Sequence, residues 1–319
     1  MLTTISQNQV SKKTSVSFAR SQLILFQSRM KWGVVYCLAT IAGLFFVPGT
    51  INVMASEVDA AVLIQRIMPL PLISLLITTG MFLLNDILDI ELDMANGKKR
   101  PLPSGQVTKT QGWIFIAWTN VAAVLLSIVT GNPASMLLVV PMLAIGLMYS
   151  APKIALDDKF VIKTLVIAIY YVLCVTLGFT SIYGIDLAIS NPLMPIFAAA
   201  LLGGMRFISS VLNDTGDVDG DKAAGRRTIP IVIGRANTIK MEIGIAIGMA
   251  TISLLFYASG NIGPTIAIMA SSIAALLAVR LVKTLKGVDD REFVRAQHKK
   301  MLPFDLLFLA SLVAGTFMI

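Results

Sequence analysis

The chain contains a series of long apolar stretches, and these restrict its fold more than any other feature of the sequence. Of its 319 residues, 56% are hydrophobic and only 14% are charged, which is too apolar for a soluble domain of this length. A transmembrane helix needs about 20 apolar residues, and about nine stretches meet that requirement. They lie near residues 33–52, 62–85, 111–131, 134–150, 162–183, 189–212, 239–259, 263–284 and 303–319. Because backbone polar groups in lipid must be satisfied internally, we predict an all-α polytopic bundle of about nine transmembrane helices around a central cavity.

The charged residues between these stretches predict how the bundle is oriented. Nearly all Lys and Arg residues lie in the N-terminal segment and in the loops 86–110, 151–161, 213–240 and 285–302. The loops on the other side carry only acidic residues or no charge. The positive-inside rule therefore predicts a multi-pass protein of the cell membrane. It places residues 1–30 in the cytoplasm as a lead-in and the C-terminus outside the cell. The four basic loops are then on the cytoplasmic side.

The ionisable residues exclude several classes of function. The net charge of +8 comes from short basic loops beside apolar stretches, a pattern that reflects membrane orientation, so we expect membrane lipid and no nucleic acid as a partner. The chain has one histidine and two cysteines, and Cys37 and Cys174 lie inside apolar stretches. These residues are too few for a zinc or haem site.

An acidic motif follows the second apolar stretch. It contains Asn85, Asp86, Asp89 and Asp93, of which Asn85, Asp89 and Asp93 recur at intervals of four residues. On a helix this interval places the three side chains on one face, about one turn apart, with Asp86 at its border. Carboxylates this close together repel one another unless cations neutralise them, and a set of oxygen ligands suits Mg²⁺. We therefore predict that all four residues bind Mg²⁺.

The motif recurs after the sixth apolar stretch, as Asn213, Asp214, Asp217 and Asp221. Each copy ends the second span of its half of the chain, so the sequence predicts two related halves whose motifs face each other across the cavity. Mg²⁺ would bridge the carboxylates and a diphosphate, while basic residues would neutralise the remaining charge. The predicted diphosphate ligands are Lys153 and Arg100, followed by Lys99, Arg226 and Arg227.

These elements together resemble the UbiA-type intramembrane prenyltransferases. The resemblance rests on Asn-Asp-Ile-Leu-Asp-Ile-Glu-Leu-Asp from residue 85, Arg-Pro-Leu-Pro-Ser-Gly from residue 100 and Asn-Asp-Thr-Gly-Asp-Val-Asp-Gly-Asp from residue 213. The segment Tyr149-Ser-Ala-Pro-Lys153 is similar to the family's Tyr-x-x-x-Lys element. The segment from Arg29 to Trp32 is similar to its Arg-x-x-Trp element, although Met30 stands where the family has proline. The resemblance covers nearly the full chain, so residues 1–319 are expected to form one domain.

The resemblance implies a Mg²⁺-dependent membrane enzyme that transfers a prenyl group from an allylic prenyl diphosphate to an aromatic or lipid-type acceptor. In such a reaction the C–O bond ionises, and the acceptor captures a carbocation-like prenyl group; the motifs do not identify this acceptor. Asp89 and Asp217 are the predicted catalytic carboxylates. Lys153 and Tyr149 are expected beside the diphosphate, and Arg29 at the mouth of the first span.

Two other functions remain open from the sequence. A UbiA-type terpene cyclase would use the same motifs but would capture the carbocation within its own chain. A membrane cation transporter would also contain carboxylates among apolar spans, although such sites usually lie at the membrane midplane rather than at the ends of spans. The short interval between Asp93 and Arg100 resembles the branch that contains chlorophyll synthases and archaeal ether-lipid prenyltransferases.

Two further charged regions are expected to be solvated. Lys159 and Lys163 neighbour Asp157 and Asp158, so we predict that they belong to an exposed loop. The segment 285–302 is rich in charges of both signs and is predicted to present a solvated face. The alternative for this segment is a cap over the diphosphate.

Overall fold

The computed structural model describes residues 16–46, 59–95, 99–151, 154, 156, 159–190 and 192–314. Within these residues the regular elements are helices, apart from an isolated bridge between the backbones of Lys159 and Arg227. The all-α prediction is confirmed. The helices are α1 (Phe18–Leu44), α2 (Ala60–Leu88), α3 (Ile90–Ala95), α4 (Lys109–Val129), α5 (Pro133–Ser150), α6 (Phe160–Ser190), α7 (Leu193–Ala223), α8 (Ile229–Ile233), α9 (Arg235–Ala258), α10 (Pro264–Leu285), α11 (Arg291–Lys299) and α12 (Leu302–Ala314).

Seven of the described helices are long and apolar enough to cross a membrane, rather than the nine that the sequence predicts. They are α2, α4, α5, α6, α7, α9 and α10. The predicted spans 33–52 and 303–319 correspond to α1 and α12, which are helical but do not meet this criterion. Arg29 and Lys31 lower the hydropathy of α1, and only 13 residues of α12 are described. Both helices nevertheless pack against the spans, α1 on α2 and α6, and α12 on α10.

The described part of the expected lead-in, residues 1–30, is the first half of α1. This helix begins after Ser17 and continues without a break to Leu44. Ser21, Leu25 and Arg29 recur every four residues and are buried, which gives this half of the helix an inward-facing stripe. The stripe carries Arg29 into the bundle.

The centre of the bundle depends on a close contact between α1 and α6, the first helices of the two predicted halves. A Cβ atom at Gly43 would lie 2.0 Å from the carbonyl oxygen of Val175, and one at Gly178 would lie 2.0 Å from that of Thr40. Helices in lipid associate largely through van der Waals packing, and small residues allow their backbones to touch. The second helices of the halves, α2 and α7, pack directly on α1 and α6 respectively.

Aromatic side chains fill the space beneath the polar ends of α2 and α7. The ring of Tyr36 lies 5.1 Å from that of Tyr171 and 5.4 Å from that of Tyr170, and all three residues are buried. The guanidinium of Arg206 stands 4.5 Å from the centre of the Tyr171 ring and forms an ion pair of 2.8 Å with Asp305 of α12. This layer forms the floor of the site described next.

Candidate active site

Both acidic motifs open into one cavity of about 220 Å³ at the ends of α2 and α7. Asn85 and Asp89 line it from the first motif, and Asn213, Asp214, Asp217 and Asp221 line it from the second. Four further predicted site residues also line the cavity, namely Arg29, Arg100, Tyr149 and Arg226. The structure thus brings most of the predicted site residues together.

Helical hydrogen bonds continue through the first motif although the helix breaks within it. The helix α2 ends at Leu88, and Asp89 has a non-helical backbone before α3 begins. The amide of Asp89 still donates to the carbonyl of Asn85 at 2.9 Å, and the amide of Asp93 donates to that of Asp89 at 2.7 Å. The Asn85 side-chain amide also donates to the Asp89 carboxylate at 3.0 Å, which orients that carboxylate.

Arg100 reaches the first motif because the segment after it is folded back and anchored. The carbonyl of Pro101 accepts from the amides of Gln106 and Val107, and Gly105 supplies the positive φ of 67° that this turn requires. Leu102 and Val107 are buried in an apolar cluster with residues of α2 and α4. The turn that follows Arg100 therefore positions its guanidinium.

Asp86 and Asp93 do not line the cavity, in contrast to their predicted role as metal ligands. Arg29 binds Asp86 through two nitrogens, with Nε 2.6 Å from Oδ2, and Arg100 donates to the same carboxylate at 2.6 Å. Arg100 also pairs with Asp93. Both carboxylates are almost completely buried. Their contacts orient the two guanidiniums at the cavity wall.

The second motif is linked directly to the first. Helix α7 continues through the motif to Ala223, and Gly225 then adopts a φ of 74°, so the chain reverses. The amide of Arg226 donates to the carbonyl of Asp221 at 2.9 Å. Its guanidinium donates to both oxygens of Asp89, at 2.8 and 3.0 Å. A basic residue of one motif thus neutralises a carboxylate of the other.

Lys163 is a site residue that the sequence analysis missed, and its assignment to a solvated loop is wrong. The residue lies in the first turn of α6, is buried, and donates to Asp214 at 2.7 Å in the cavity wall. In the sequence, only its apolar neighbours distinguish Lys163 from Lys159, which is exposed. Helix α6 begins between the two lysines, so prediction of its first residue would have identified Lys163 as a helical, buried residue.

The charged segment 285–302 also contributes to the site, through α11. Arg295 of this helix donates to the Asp217 carboxylate at 2.6 Å, and His298 lines the cavity. The imidazole of His298 stacks on the Trp32 ring with 6.4 Å between the ring centres, and burial lowers its pKa to about 4. His298 is therefore neutral at pH 7. The inner side of α11 corresponds to the cap alternative rather than to a solvated face.

Two other predicted diphosphate ligands lie outside the cavity. Lys99 and Arg227 are exposed and do not line the cavity. Lys153, which is predicted to contact the diphosphate, lies outside the described residues.

The carboxylates of the two motifs differ in how much of their side chain is exposed. The side chains of Asp89 and Asp217 keep 17% and 23% of their surface exposed, against 2% for Asp86 and 1% for Asp93. In addition, the buried Oδ2 atom of Asp221 accepts no hydrogen bond within the described part of the chain. Across the same residues, no three His, Cys, Asp or Glu side chains converge as a metal cluster. These carboxylates suit Mg²⁺, which proteins usually hold with one or two carboxylates and complete with substrate phosphates.

Comparison with known families shows the family to which the chain belongs. The model of the UbiA prenyltransferase family matches residues 45–312, a range that includes both motifs. This chain belongs to the UbiA prenyltransferase family. It is a multi-pass integral membrane prenyltransferase, as its resemblance to the family implied.

Relatives within the UbiA family cover most of the chain. Digeranylgeranylglyceryl phosphate synthase of Methanopyrus kandleri is 27% identical over 76% of this chain and 86% of its own length. The synthase of the same name from Methanococcus aeolicus is 27% identical over 74% of this chain and 79% of its own.

Solved structures share the fold. A digeranylgeranylglyceryl phosphate synthase matches 95% of this chain and 100% of its own with a TM-score of 0.69 at 18% identity. A UbiA homologue from Archaeoglobus fulgidus, bound to DMAPP and Mg²⁺, matches 94% of this chain and 100% of its own with a TM-score of 0.62 at 15% identity.

Proposed function

We propose that this UbiA protein transfers a prenyl group from an allylic prenyl diphosphate to a lipid acceptor that carries a glyceryl phosphate, with Mg²⁺ as cofactor. The observation that carries the proposal is the meeting of the two motifs in one cavity, where Arg226 of the second motif binds Asp89 of the first. Two acidic motifs with their own cations form a receptor for a metal–diphosphate rather than a path for a single ion.

Asp89, Asp217 and Asp221, with Asn85 and Asn213, would hold the metal. When bound, Mg²⁺ neutralises the diphosphate and stabilises the negative charge that grows on it as the C–O bond breaks. Asp86 and Asp93 have a different part in this proposal, because they are buried against Arg29 and Arg100 and keep these guanidiniums at the cavity wall.

The cations of the site exchange partners when the donor binds. Arg226 and Lys163 neutralise Asp89 and Asp214 in the structure, at 2.8 and 2.7 Å. Guanidinium and ammonium groups bind phosphate oxygens as well as they bind carboxylates. A metal ion held by Asp89 would free Arg226 to bind the diphosphate. Lys163, Arg100 and Tyr149, which line the cavity, would donate to the same diphosphate together with Lys153.

The prenyl chain would lie over the aromatic floor. Tyr36, Phe82 and Ile167 line the apolar part of the cavity, below the carboxylates. Aromatic ring faces attract cations, as the position of Arg206 over Tyr171 illustrates. The same faces would stabilise a carbocation-like prenyl group and keep water from it until the acceptor attacks.

The acceptor class is supported by the names of the relatives. The product named in the Methanopyrus and Methanococcus enzymes is a glyceryl phosphate with two geranylgeranyl groups. An acceptor of this class carries a free hydroxyl, which attacks the prenyl carbon and releases its proton as the new C–O bond forms. The Archaeoglobus homologues bound to Mg²⁺ with DMAPP or GPP support the donor class and the cofactor.

Product analysis tests this function. The purified protein would be incubated with Mg²⁺, one of dimethylallyl, geranyl or geranylgeranyl diphosphate, and either a geranylgeranylglyceryl phosphate or an aromatic acid as acceptor. We expect a prenylated ether whose mass equals that of the acceptor, less the hydroxyl hydrogen, plus the prenyl group, and no product after chelation of the metal. Exclusive prenylation of the aromatic acid would overturn the acceptor class, and a hydrocarbon formed without acceptor would indicate a cyclase.

We also propose that residues 1–319 act as one domain whose N-terminus and active site are on the cytoplasmic side. The basic loops support this orientation, because the segments that follow α2 and α7 carry the motifs together with Lys99, Arg100, Arg226 and Arg227.

A further inference from the structure

Helix α11 contributes His298 to the cavity wall, and contacts with three helices hold it there. The Asp290 side chain caps its first turn by accepting from the amide of Phe293 at 3.0 Å. Arg295 binds Asp217 of α7, and Arg280 of α10 donates to Gln297 at 2.7 Å. The stack of His298 on Trp32 connects the helix to α1. This short charged helix is therefore built into the site rather than lying loosely over it.

The contact between Arg295 and Asp217 requires a glycine on α7. A Cβ atom at Gly216 would lie 2.9 Å from Cγ of Arg295, closer than real Cβ contacts allow. Nε and Nη2 of Arg295 both donate to Oδ1 of Asp217, at 3.2 and 2.6 Å. About a third of the Arg295 side chain is exposed, so its guanidinium has room to move. Arg295 does not itself line the cavity, but the carboxylate that it binds, Asp217, does.

We propose that Arg295 is a further donor-binding residue that changes partner during the reaction. It neutralises Asp217 while no donor is bound, and it binds a phosphate oxygen of the prenyl diphosphate once a metal ion takes Asp217. The inference rests on the proposed function, because it assumes that Asp217 is a metal ligand. Its physical basis is competition, since Oδ1 of Asp217 cannot accept two guanidinium hydrogen bonds and coordinate a cation at full strength. A released guanidinium beside a diphosphate is well suited to bind it through two hydrogen bonds.

The competition predicts two affinities that change in opposite directions in Arg295→Gln. Without donor, the variant should bind Mn²⁺, used as a spectroscopic substitute for Mg²⁺, about 3- to 10-fold more tightly, because the competing cation is gone. With saturating Mg²⁺, it should bind an unreactive prenyl thiolodiphosphate about 10-fold more weakly, because a charge-assisted contact is lost. Electron paramagnetic resonance of free Mn²⁺ and equilibrium binding of the labelled analogue measure the two affinities without turnover.

Arg235→Gln is the matched control. Arg235, the first residue of α9, forms a similar ion pair of 3.0 Å with Asp219, which lies on α7 as Asp217 does. Neither Arg235 nor Asp219 lines the cavity. Neither affinity should change in this variant. Arg295→Lys, which restores the charge without the two-nitrogen geometry, should recover part of the analogue affinity. Gly216→Ala should displace Arg295 and change both affinities in the same directions as Arg295→Gln, but by less. Because alanine has a higher helix propensity than glycine, this substitution should not destabilise α7 itself.

The outcomes separate the inference from the function on which it rests. A parallel loss of both affinities in Arg295→Gln, or no change in either, overturns the role of Arg295 while leaving the wild-type enzyme as proposed. Shifts of the same size in Arg235→Gln also overturn it, because they would reflect surface charge alone. Failure of the wild-type protein to bind Mn²⁺ and the analogue at all overturns the proposed function and this inference with it.

Discussion

At the scale of single residues, burial decides which carboxylate does what. Asp86 and Asp89 are three residues apart in one motif, yet Asp86 is enclosed by Arg29 and Arg100 while Asp89 faces the cavity. In the proposed function, a carboxylate held by two guanidiniums is already neutralised and positions these cations rather than a metal. One that faces the cavity and contacts a single arginine can exchange that partner for a cation.

Two isosteric substitutions distinguish these roles. Asp86→Asn leaves the buried Arg29 without its counter-charge and removes one of the two carboxylates that Arg100 contacts. It should therefore destabilise the protein by about 3–5 kcal/mol and lower its melting temperature in detergent. Asp89→Asn should leave the melting temperature nearly unchanged but reduce kcat/KM for the donor by roughly 100-fold or more. A normal melting temperature for Asp86→Asn, combined with a changed dependence of its activity on Mg²⁺ concentration, would indicate that Asp86 is a metal ligand.

Lys163 makes a second residue-scale prediction. Lys163→Met removes the ionic partner of Asp214 and should lower kcat/KM by about 100-fold. Lys159→Met is the control, because that side chain is exposed and four residues earlier in the sequence. Steady-state prenyl transfer with both variants checks the prediction. Equal effects of the two substitutions would show that the loss of positive charge, rather than the contact with Asp214, matters.

The sequence was sufficient for some of these residues and insufficient for others. Asn85, Asp89, Asn213 and Asp217 were predictable because carboxylates at helical spacing are rare beside apolar spans and recur in both halves. Lys163 and Arg295 were not, because each is a single cation whose role depends on which turn of its helix faces inward. The separation of Asp86 from Asp89 was equally inaccessible, since it depends on Arg29 from a distant helix.

At the scale of helices, the crossing of α1 and α6 is the contact most sensitive to side-chain size. Gly43 and Gly178 meet the backbone of the opposite helix, whereas Gly244 and Gly248 of α9 have open space where a Cβ atom would lie. The sequence predicted the spans from their hydropathy but gave no indication of which glycines lie at a helix crossing, because all four occur in apolar stretches.

Alanine substitution tests the crossing. Gly43→Ala or Gly178→Ala forces α1 and α6 apart, and such overpacking should cost about 1–3 kcal/mol of stability. Gly244→Ala and Gly248→Ala should be neutral or stabilising, because alanine has the higher helix propensity. Thermal unfolding of the four variants in one detergent measures the difference. Similar melting temperatures in all four would mean that the two helices do not touch at these glycines.

At the scale of the whole molecule, most carboxylates of the site have a cationic partner before any metal binds. Asp86, Asp89, Asp214 and Asp217 each have an arginine or lysine partner within 2.8 Å. The bundle therefore does not need Mg²⁺ to offset carboxylate repulsion. Metal binding belongs to the catalytic cycle in this arrangement, and not to the assembly of the fold.

Removal of the metal should therefore stop turnover without unfolding the protein. With EDTA, we expect prenyl transfer to cease while the melting temperature in detergent changes by no more than about 2 °C, and excess Mg²⁺ should restore the activity. Addition of Mg²⁺ with an unreactive donor analogue should then raise the melting temperature, as ligand linkage requires. Unfolding by EDTA alone would contradict the charge balance seen in the cavity.

The charge pattern also predicts the orientation of the bundle. Helices α9 and α10 carry Arg235, Lys240 and Lys283 near the ends that adjoin the cavity side, while the turn Ser259–Gly263 between them has no charge. Because basic loops remain in the cytoplasm, Lys99→Cys should resist a membrane-impermeant maleimide in intact cells and react after the membrane is opened. Ser259→Cys should react in intact cells, in a background without Cys37 and Cys174. The reverse labelling pattern would place the diphosphate site outside the cell, away from a cytoplasmic supply of prenyl diphosphate.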